Sequence, residues 1–137
     1  MAIFHTEMTK KIPFYDIDMM NVVWHGNYVK YMEEARCDMF EKLNYTYLDM
    51  REDGVAYPIA KMSTKFIKPA FFGQEVIIKA DLLEIAPSMN IKYKIFDKQT
   101  GEKLFEGETM QIAVDIHTKE SRYDAPERLV KILGEVN

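Results

Sequence analysis

One long helical stripe comes ahead of a succession of two-residue periods, and that order limits what this chain can build. Tyr28, Met32, Ala35, Met39 and Leu43 recur at steps of four and three, which puts them on one face of a helix from about Asn27 to Leu43. Met32, Glu33, Glu34, Ala35 and Arg36 all favour helix, and Asp38 precedes Lys42 by one turn as a favourable ion pair. Asn27 is expected to cap the start, and Asn44 to stop the end. From Val55 onward the period becomes two. Ala60, Met62, Thr64 and Phe66 alternate with Ile59, Lys61, Ser63 and Lys65. Val76, Ile78, Ala80 and Leu82 mark another strand, and Ile91, Tyr93 and Ile95 the next. Leu104 to Ile116 reads as one long last strand, with Met110, Ile112, Val114 and Ile116 on one face. Thr6 to Tyr15, ahead of the helix, completes five. Turns at Asp53-Gly54, Pro87-Ser88 and Asp97 to Gly101 separate the strands, so antiparallel pairing is expected. A five-stranded sheet with one apolar face needs a cover, and the long helix supplies it. The fold class is therefore α+β. A short C-terminal helix is expected after Asp124, with Pro126 and Glu127 in its first turn, Leu129, Ile132 and Leu133 on its apolar side, and Gly134 at its end.

The 137 residues suit a single domain, 1–137. A chain of this size buries roughly 70% of its unfolded surface and holds a core without covalent staples. Its lone cysteine, Cys37, excludes an internal disulfide, falls mid-helix as a small packing residue, and points to a reducing, cytoplasmic home. No apolar run is long enough to span a bilayer, and the first residues lack the basic and apolar regions of a secretion signal. The net charge of −4 argues against a nucleic-acid surface but leaves room for a local basic patch.

The chemistry concentrates between Asp16 and Tyr28, where an extended segment passes through a loop into the helix. Asp18 lies a few residues ahead of the helix N-terminus, which offers unpaired N–H groups and the positive end of a dipole. A carboxylate beside such an end is what acyl transfer to water requires. Read alone, Asp18 fits an Asx-turn within the loop better than a catalytic role. Asp16, two residues earlier, reads as a solvated or loop-bonding residue; an Asp16–Asp18 metal pair with His25 as third ligand finds no further ligand spacing among the histidines His5, His25 and His117.

The run Asp18, Val22, Val23, His25, Tyr28, Tyr31, Glu33 and Arg36 resembles the signature of the hot-dog-fold acyl-CoA thioesterases, in the branch of 4-hydroxybenzoyl-CoA thioesterase and the Tol-Pal-associated thioesterases. Lys68-Pro69-Ala70 followed by Gly73 resembles that family's link between its second and third strands. Where the family carries glycine, three residues after the aspartate, this chain has Asn21, the non-glycine residue most tolerant of a left-handed backbone. The resemblance implies a hot-dog fold, the sheet wrapped round the helix with strand order 1-3-4-5-2. It implies hydrolysis of an acyl-CoA thioester, with Asp18 catalytic, as nucleophile or as general base. It also implies that the backbone N–H of His25 serves the oxyanion hole; the His25 imidazole polarising the carbonyl is the competing role.

Around that pair, Asn21, Trp24, Tyr28 and Tyr31 are candidate substrate contacts, with core packing the competing role for Tyr28. Lys61, Ser63, Lys65 and Ile67 share one strand face, and Lys65 and Lys68 are candidates for the coenzyme A phosphates. Glu33 and Arg36 suit a structural ion pair, while Glu33 or Glu34 is the alternative catalytic acid, because another hot-dog branch places its acid on the helix. No metal or redox cofactor is implied, coenzyme A being part of the substrate. A hot-dog hydratase or dehydratase, and a non-catalytic thioester-binding dimer, are the rival functions. Apolar residues on both faces of a strand, such as Ile77 and Leu83 opposite Val76 and Ile78, predict a homo-oligomer, a dimer or a pair of dimers. The resemblance adds that subunits pair edge to edge and share the site.

Overall fold

The computed structural model describes residues 2–136. The chain runs β1 (Phe4–Lys11), a 3-10 turn (Phe14–Asp16), α1 (Asn27–Leu43), α2 (Tyr47–Glu52), β2 (Val55–Ala56), β3 (Ile59–Phe66), β4 (Glu75–Glu84), β5 (Met89–Asp97), β6 (Lys103–Gln111), β7 (Ala113–Asp115), β8 (Ser121–Arg122) and α3 (Glu127–Val136). Five strands form one antiparallel sheet in the order β1-β4-β5-β6-β3, the expected hot-dog order. The long helix α1 packs on one face, burying Tyr28, Tyr31, Met32, Ala35, Met39, Phe40 and Leu43 against Val76, Ile78, Ala80, Leu82, Ile91, Tyr93 and Ile95. Each such side chain contributes about 1.5–3 kcal/mol through burial.

Registers align apolar rows across the sheet. Met8, Ile78, Ile95, Phe105 and Phe66 stand side by side, and the row leaves the core at its last member, where Phe66 is 52% exposed. In the next row Gly107 faces the helix: a Cβ there would meet the Met32 sulfur at 2.5 Å and the Phe105 ring at 3.0 Å. Met32 is fully buried, so it has nowhere to swing. Gly107→Ala is therefore expected to lower stability by about 1–3 kcal/mol through overpacking, read as a lower midpoint of urea unfolding. An unchanged midpoint would show that the helix shifts freely.

Several local expectations need correction. The first strand stops at Lys11, not Tyr15: Pro13 has no N–H to give a ladder, the chain folds into the 3-10 turn, and Phe14 is exposed. Asn27 does not cap α1. Gly26 holds that place without a side-chain bond, and the Asn27 amide donates instead to the Asp16 carbonyl at 2.9 Å. Asn44 does end the helix, at φ 63°. The last long strand is two. β6 buries Phe105, Gly107, Thr109 and Gln111, and Met110 and Ile112 lie on the less buried side. After Ile112 the chain joins a separate small sheet, β2-β7-β8. Helix α3 runs through Gly134 to Val136, since nothing crowds that exposed glycine out of helix. Strand β3 has no buried face in the single chain. It is an edge strand paired only with β6, and all eight residues are exposed.

Candidate active site

The loop between the 3-10 turn and α1 is a small hairpin. Ile17 bridges Val23, the Asp18 N–H donates to the Val22 carbonyl at 2.9 Å, and the Asn21 N–H donates to the Asp18 carbonyl at 3.0 Å. Asn21 closes the turn at φ 66°, a left-handed conformation that asparagine tolerates better than other side chains. Its position is that of a turn residue, and its side chain makes no hydrogen bond among the described residues. One Asp18 oxygen accepts the Met20 N–H at 2.8 Å, an Asx-turn; among the described residues the other oxygen takes no bond. The turn thus holds the carboxylate by one oxygen and leaves one available. Beyond it Met19 and Met20 are 100% and 80% exposed.

Asp16 fastens this hairpin to the helix from behind. It is buried, not solvated, at 3% exposure. Its carboxylate accepts from the Tyr31 hydroxyl at 2.7 Å and from the Lys30 ammonium at 2.8 Å, and its carbonyl accepts from the Trp24 N–H at 3.0 Å and from Asn27. Burial alone would raise its pKa; the Lys30 and Tyr31 bonds outweigh that and hold the carboxyl below the usual range. The same burial, with the Asp16 charge beside it, drives the Tyr31 hydroxyl far up. Tyr31 is fully buried in this role, behind the site. Because Asp16 is turned inward onto these partners, it cannot face a ligand together with Asp18 and His25.

At the start of α1 a cleft of about 270 Å³ is lined by Val23, His25, Tyr28, Phe66, Lys68 and Pro69, among others. Tyr28 is placed by stacking on Phe105 (4.8 Å between centroids, 17°) and by an edge contact with Phe66 at 5.3 Å. Its hydroxyl accepts the Ala70 N–H at 3.3 Å. The exposed His25 ring lies between Trp24, at 5.2 Å, and Phe66, at 6.4 Å. The Trp24 indole covers Gly26, where a Cβ would meet it at 2.3 Å. Among the described residues the His25 and Gly26 N–H groups reach no acceptor, whereas the Asn27 N–H donates to Trp24 and that of Tyr28 to His25. His25 lines the cleft, and two free donors at a helix start are groups that can bind an anionic oxygen.

The structure thus brings together His25, Tyr28 and Lys68 at the cleft, with Trp24 against the His25 ring and outside the lining. Asp18 sits at the tip side of the same hairpin and does not line the cleft of the single chain. Lys68 pairs with Glu102. Lys65 lies out on β3 opposite Glu106, away from the cleft. Sequence reading missed Phe66 and Pro69 as cleft walls and Asp16 as the anchor. For Phe66 a signal existed, an aromatic residue ending a strand of two-residue period; for Asp16, whose partners come from helix register, there was none.

The chain belongs to the thioesterase-like superfamily, whose profile matches residues 12–133. The acyl-CoA thioesterase YbgC of Helicobacter pylori (strain 26695) is 36% identical over 78 residues, 57% of this chain and 56% of that protein. Two solved structures share the fold over nearly the whole chain. A hypothetical protein from Thermus thermophilus is 26% identical, with TM-score 0.84 over 96% of this chain and 98% of that one. The DHNA-CoA thioesterase of Staphylococcus aureus is 24% identical, with TM-score 0.85 over 96% and 90%. The matches to the first three curated relatives cover 49%, 66% and 60% of those proteins' lengths. Among the described residues no helix is long and apolar enough to cross a membrane.

Proposed function

We propose that this protein is an acyl-CoA thioesterase that cleaves its substrate to a free acid and coenzyme A. The observation that supports the reading is the pair of free N–H groups at His25, which lines the cleft, and at Gly26 beside it, next to the hairpin that bears Asp18. The thioester oxygen sits on those donors, and charge developing there in the tetrahedral intermediate is met by fixed dipoles. Asp18, with one oxygen anchored and one available, acts on the carbonyl carbon. As a nucleophile it forms a mixed anhydride and expels the thiolate, and water then cleaves the anhydride. As a general base it takes a proton from water as the water oxygen bonds to carbon, and the thiolate leaves as the C–S bond breaks. One turnover in ¹⁸O-water separates these routes: label entering Asp18 marks the nucleophile. His25 contributes its backbone N–H, and no metal takes part.

The cleft is completed by a second copy of the chain. The exposed edge strand β3, with Ile59, Met62 and Phe66 uncovered, pairs with its counterpart across a two-fold axis and extends the sheet. A pocket wall from the partner then faces the helix end and brings the Asp18 hairpin under cover. Two such dimers pack into a tetramer.

A panel of acyl-CoA thioesters read by free-thiol release tests the activity. Enoyl absorbance changes without thiol release would support a hydratase instead. Binding without turnover would support a thioester carrier. Lys65 and Lys68 are assigned to the nucleotide phosphates. Lys65→Ala with Lys68→Ala is expected to raise KM for acyl-CoA about tenfold, with kcat nearly unchanged and a weaker salt dependence. A truncated thioester lacking the nucleotide should be unaffected; equal losses on both substrates would remove the lysines from this role.

A further inference from the structure

Midway along α1 the core holds a positive charge with no carboxylate partner among the described residues. Arg36 is 6% exposed, and among the described residues no carboxylate lies within 4.0 Å of its guanidinium. Its Nε donates to the Tyr47 hydroxyl at 2.8 Å and its Nη1 to the Tyr93 hydroxyl at 3.3 Å, which in turn bonds Thr109 at 2.9 Å. The Glu33–Arg36 ion pair that the sequence suggested does not form. A buried cation satisfied only by neutral phenols keeps a long electrostatic reach, because little water screens it.

Beside this charge is a second cavity, of about 550 Å³, walled by Met50, Val55 and Ile116 and carrying Tyr47, Tyr57, Arg51 and Lys119 in its lining. No carboxylate lines it. The Tyr47 oxygen already accepts two N–H groups, from Arg36 and, at 3.3 Å, from Gln111 Nε2. Its own proton is therefore the valence left to give, on a ring that lines the cavity. Two further polar atoms of the cluster are buried without a partner among the described residues, the Tyr57 hydroxyl and Gln111 Oε1, although Gln111 Nε2 donates to the Tyr57 carbonyl at 2.7 Å. Tyr57 is 5% exposed and Gln111 0%. Native interiors rarely leave such groups unpaired unless something else pairs them.

We propose that this cavity binds an organic carboxylate with a compact apolar body, its anion held by the Tyr47 hydroxyl and flanked by Arg51 and Lys119. The apolar part rests on Met50, Val55 and Ile116. Arg36 does not touch the ligand; it polarises the Tyr47 hydroxyl toward an acceptor. The volume falls within the range of small-molecule pockets. The carboxylate comes either from a free acid or from the far end of a dicarboxylic acyl group.

Calorimetric titration of the full chain with sodium benzoate, against benzyl alcohol as the neutral isostere, tests this. One benzoate per chain is expected, with benzyl alcohol at least tenfold weaker. Tyr47→Phe keeps the ring and should weaken benzoate about tenfold; Arg51→Gln with Lys119→Gln should weaken it severalfold. Tyr47→Phe also takes an acceptor from the buried Arg36 and should lower Tm, so a cooperative melt well above the titration temperature checks that the variant is folded. Absence of binding overturns the proposal, and so does binding that ignores Tyr47→Phe, which would place benzoate in the cleft by the helix N-terminus. The titration needs no turnover, so loss of the thioesterase reading leaves it intact. The two sources separate on substrate: a loss confined to glutaryl-CoA over valeryl-CoA in Tyr47→Phe assigns the acyl group's own carboxylate, and equal rates with retained benzoate binding assign a free acid.

Discussion

Replacing Asp18 with asparagine is expected to lower kcat for acyl-CoA hydrolysis by about a thousandfold while binding stays within a few-fold. The substitution is close to isosteric. Its remaining oxygen can still accept the Met20 N–H that now holds Asp18 at 2.8 Å, so the hairpin keeps its shape. What disappears is the charge on the second oxygen, needed both for attack on the carbonyl and for taking a proton from water. Free donors at His25 and Gly26 remain in the variant and still bind the carbonyl oxygen, which is why some turnover above background should persist. Stopped-flow thiol release with a good substrate reads the effect. A fall of less than tenfold would remove Asp18 from the chemistry and transfer the question to Glu33 and Glu34.

Asp16→Ala should be the most damaging single change in the loop, and for a different reason. It leaves the Tyr31 hydroxyl, fully buried, without an acceptor, and releases Lys30 to solvent. A buried donor without a partner, together with a lost charge-assisted bond, costs roughly 3 kcal/mol, or about 10 °C in Tm for a domain of this size. Tyr31→Phe in the same background should recover part of the loss by removing the orphan. The pH dependence has a definite sign. The folded Asp16 pKa lies below its ordinary value of 3.8, so the folded state favours the charged form. That contribution is fully present above the unfolded pKa, and it is lost as pH falls through the lower folded value. Asp16→Asn should therefore flatten the acid limb of a stability–pH curve and leave the neutral region parallel to the parent. An unchanged acid limb would show that Asp16 is not ionised in the fold.

The sequence made α1 legible because its stripe is unbroken over the whole helix, and β4 and β5 legible because their buried faces are apolar at every second residue. It misled at β6. There the buried face carries Thr109 and Gln111, while apolar Met110 and Ile112 share the less buried face, so the apolar alternation did not mark the core side and the break before β7 went unseen. Polar residues are tolerated in that core because Thr109 bonds the Tyr93 hydroxyl and Gln111 donates to the Tyr47 hydroxyl and the Tyr57 carbonyl, and no pattern in one strand reveals partners that lie elsewhere in the chain. The hairpin before the helix was readable as a turn from Asp18 and Asn21. Its fastening was not, because whether Asp16 faces water or Tyr31 depends on where the 3-10 turn stops. Of the two lysines considered for the coenzyme A phosphates, Lys68 lines the cleft and Lys65 lies on the edge strand away from it, a difference that strand periodicity does not encode.

Gly107 sets the distance between helix and sheet, and so the place at which the helix presents its first N–H groups. Of the twenty amino acids only glycine lacks a Cβ, so every base change that alters the residue adds at least one carbon where the Met32 sulfur already lies. Drift at this codon has no neutral first step. An escape requires Met32 to shrink beforehand, a move that opens a hole in the core. The order of substitutions is thereby constrained: the helix residue must change first, and the lineage must survive the intermediate. Pairs of substitutions at 32 and 107 should for that reason be rarer than either residue's size alone would suggest.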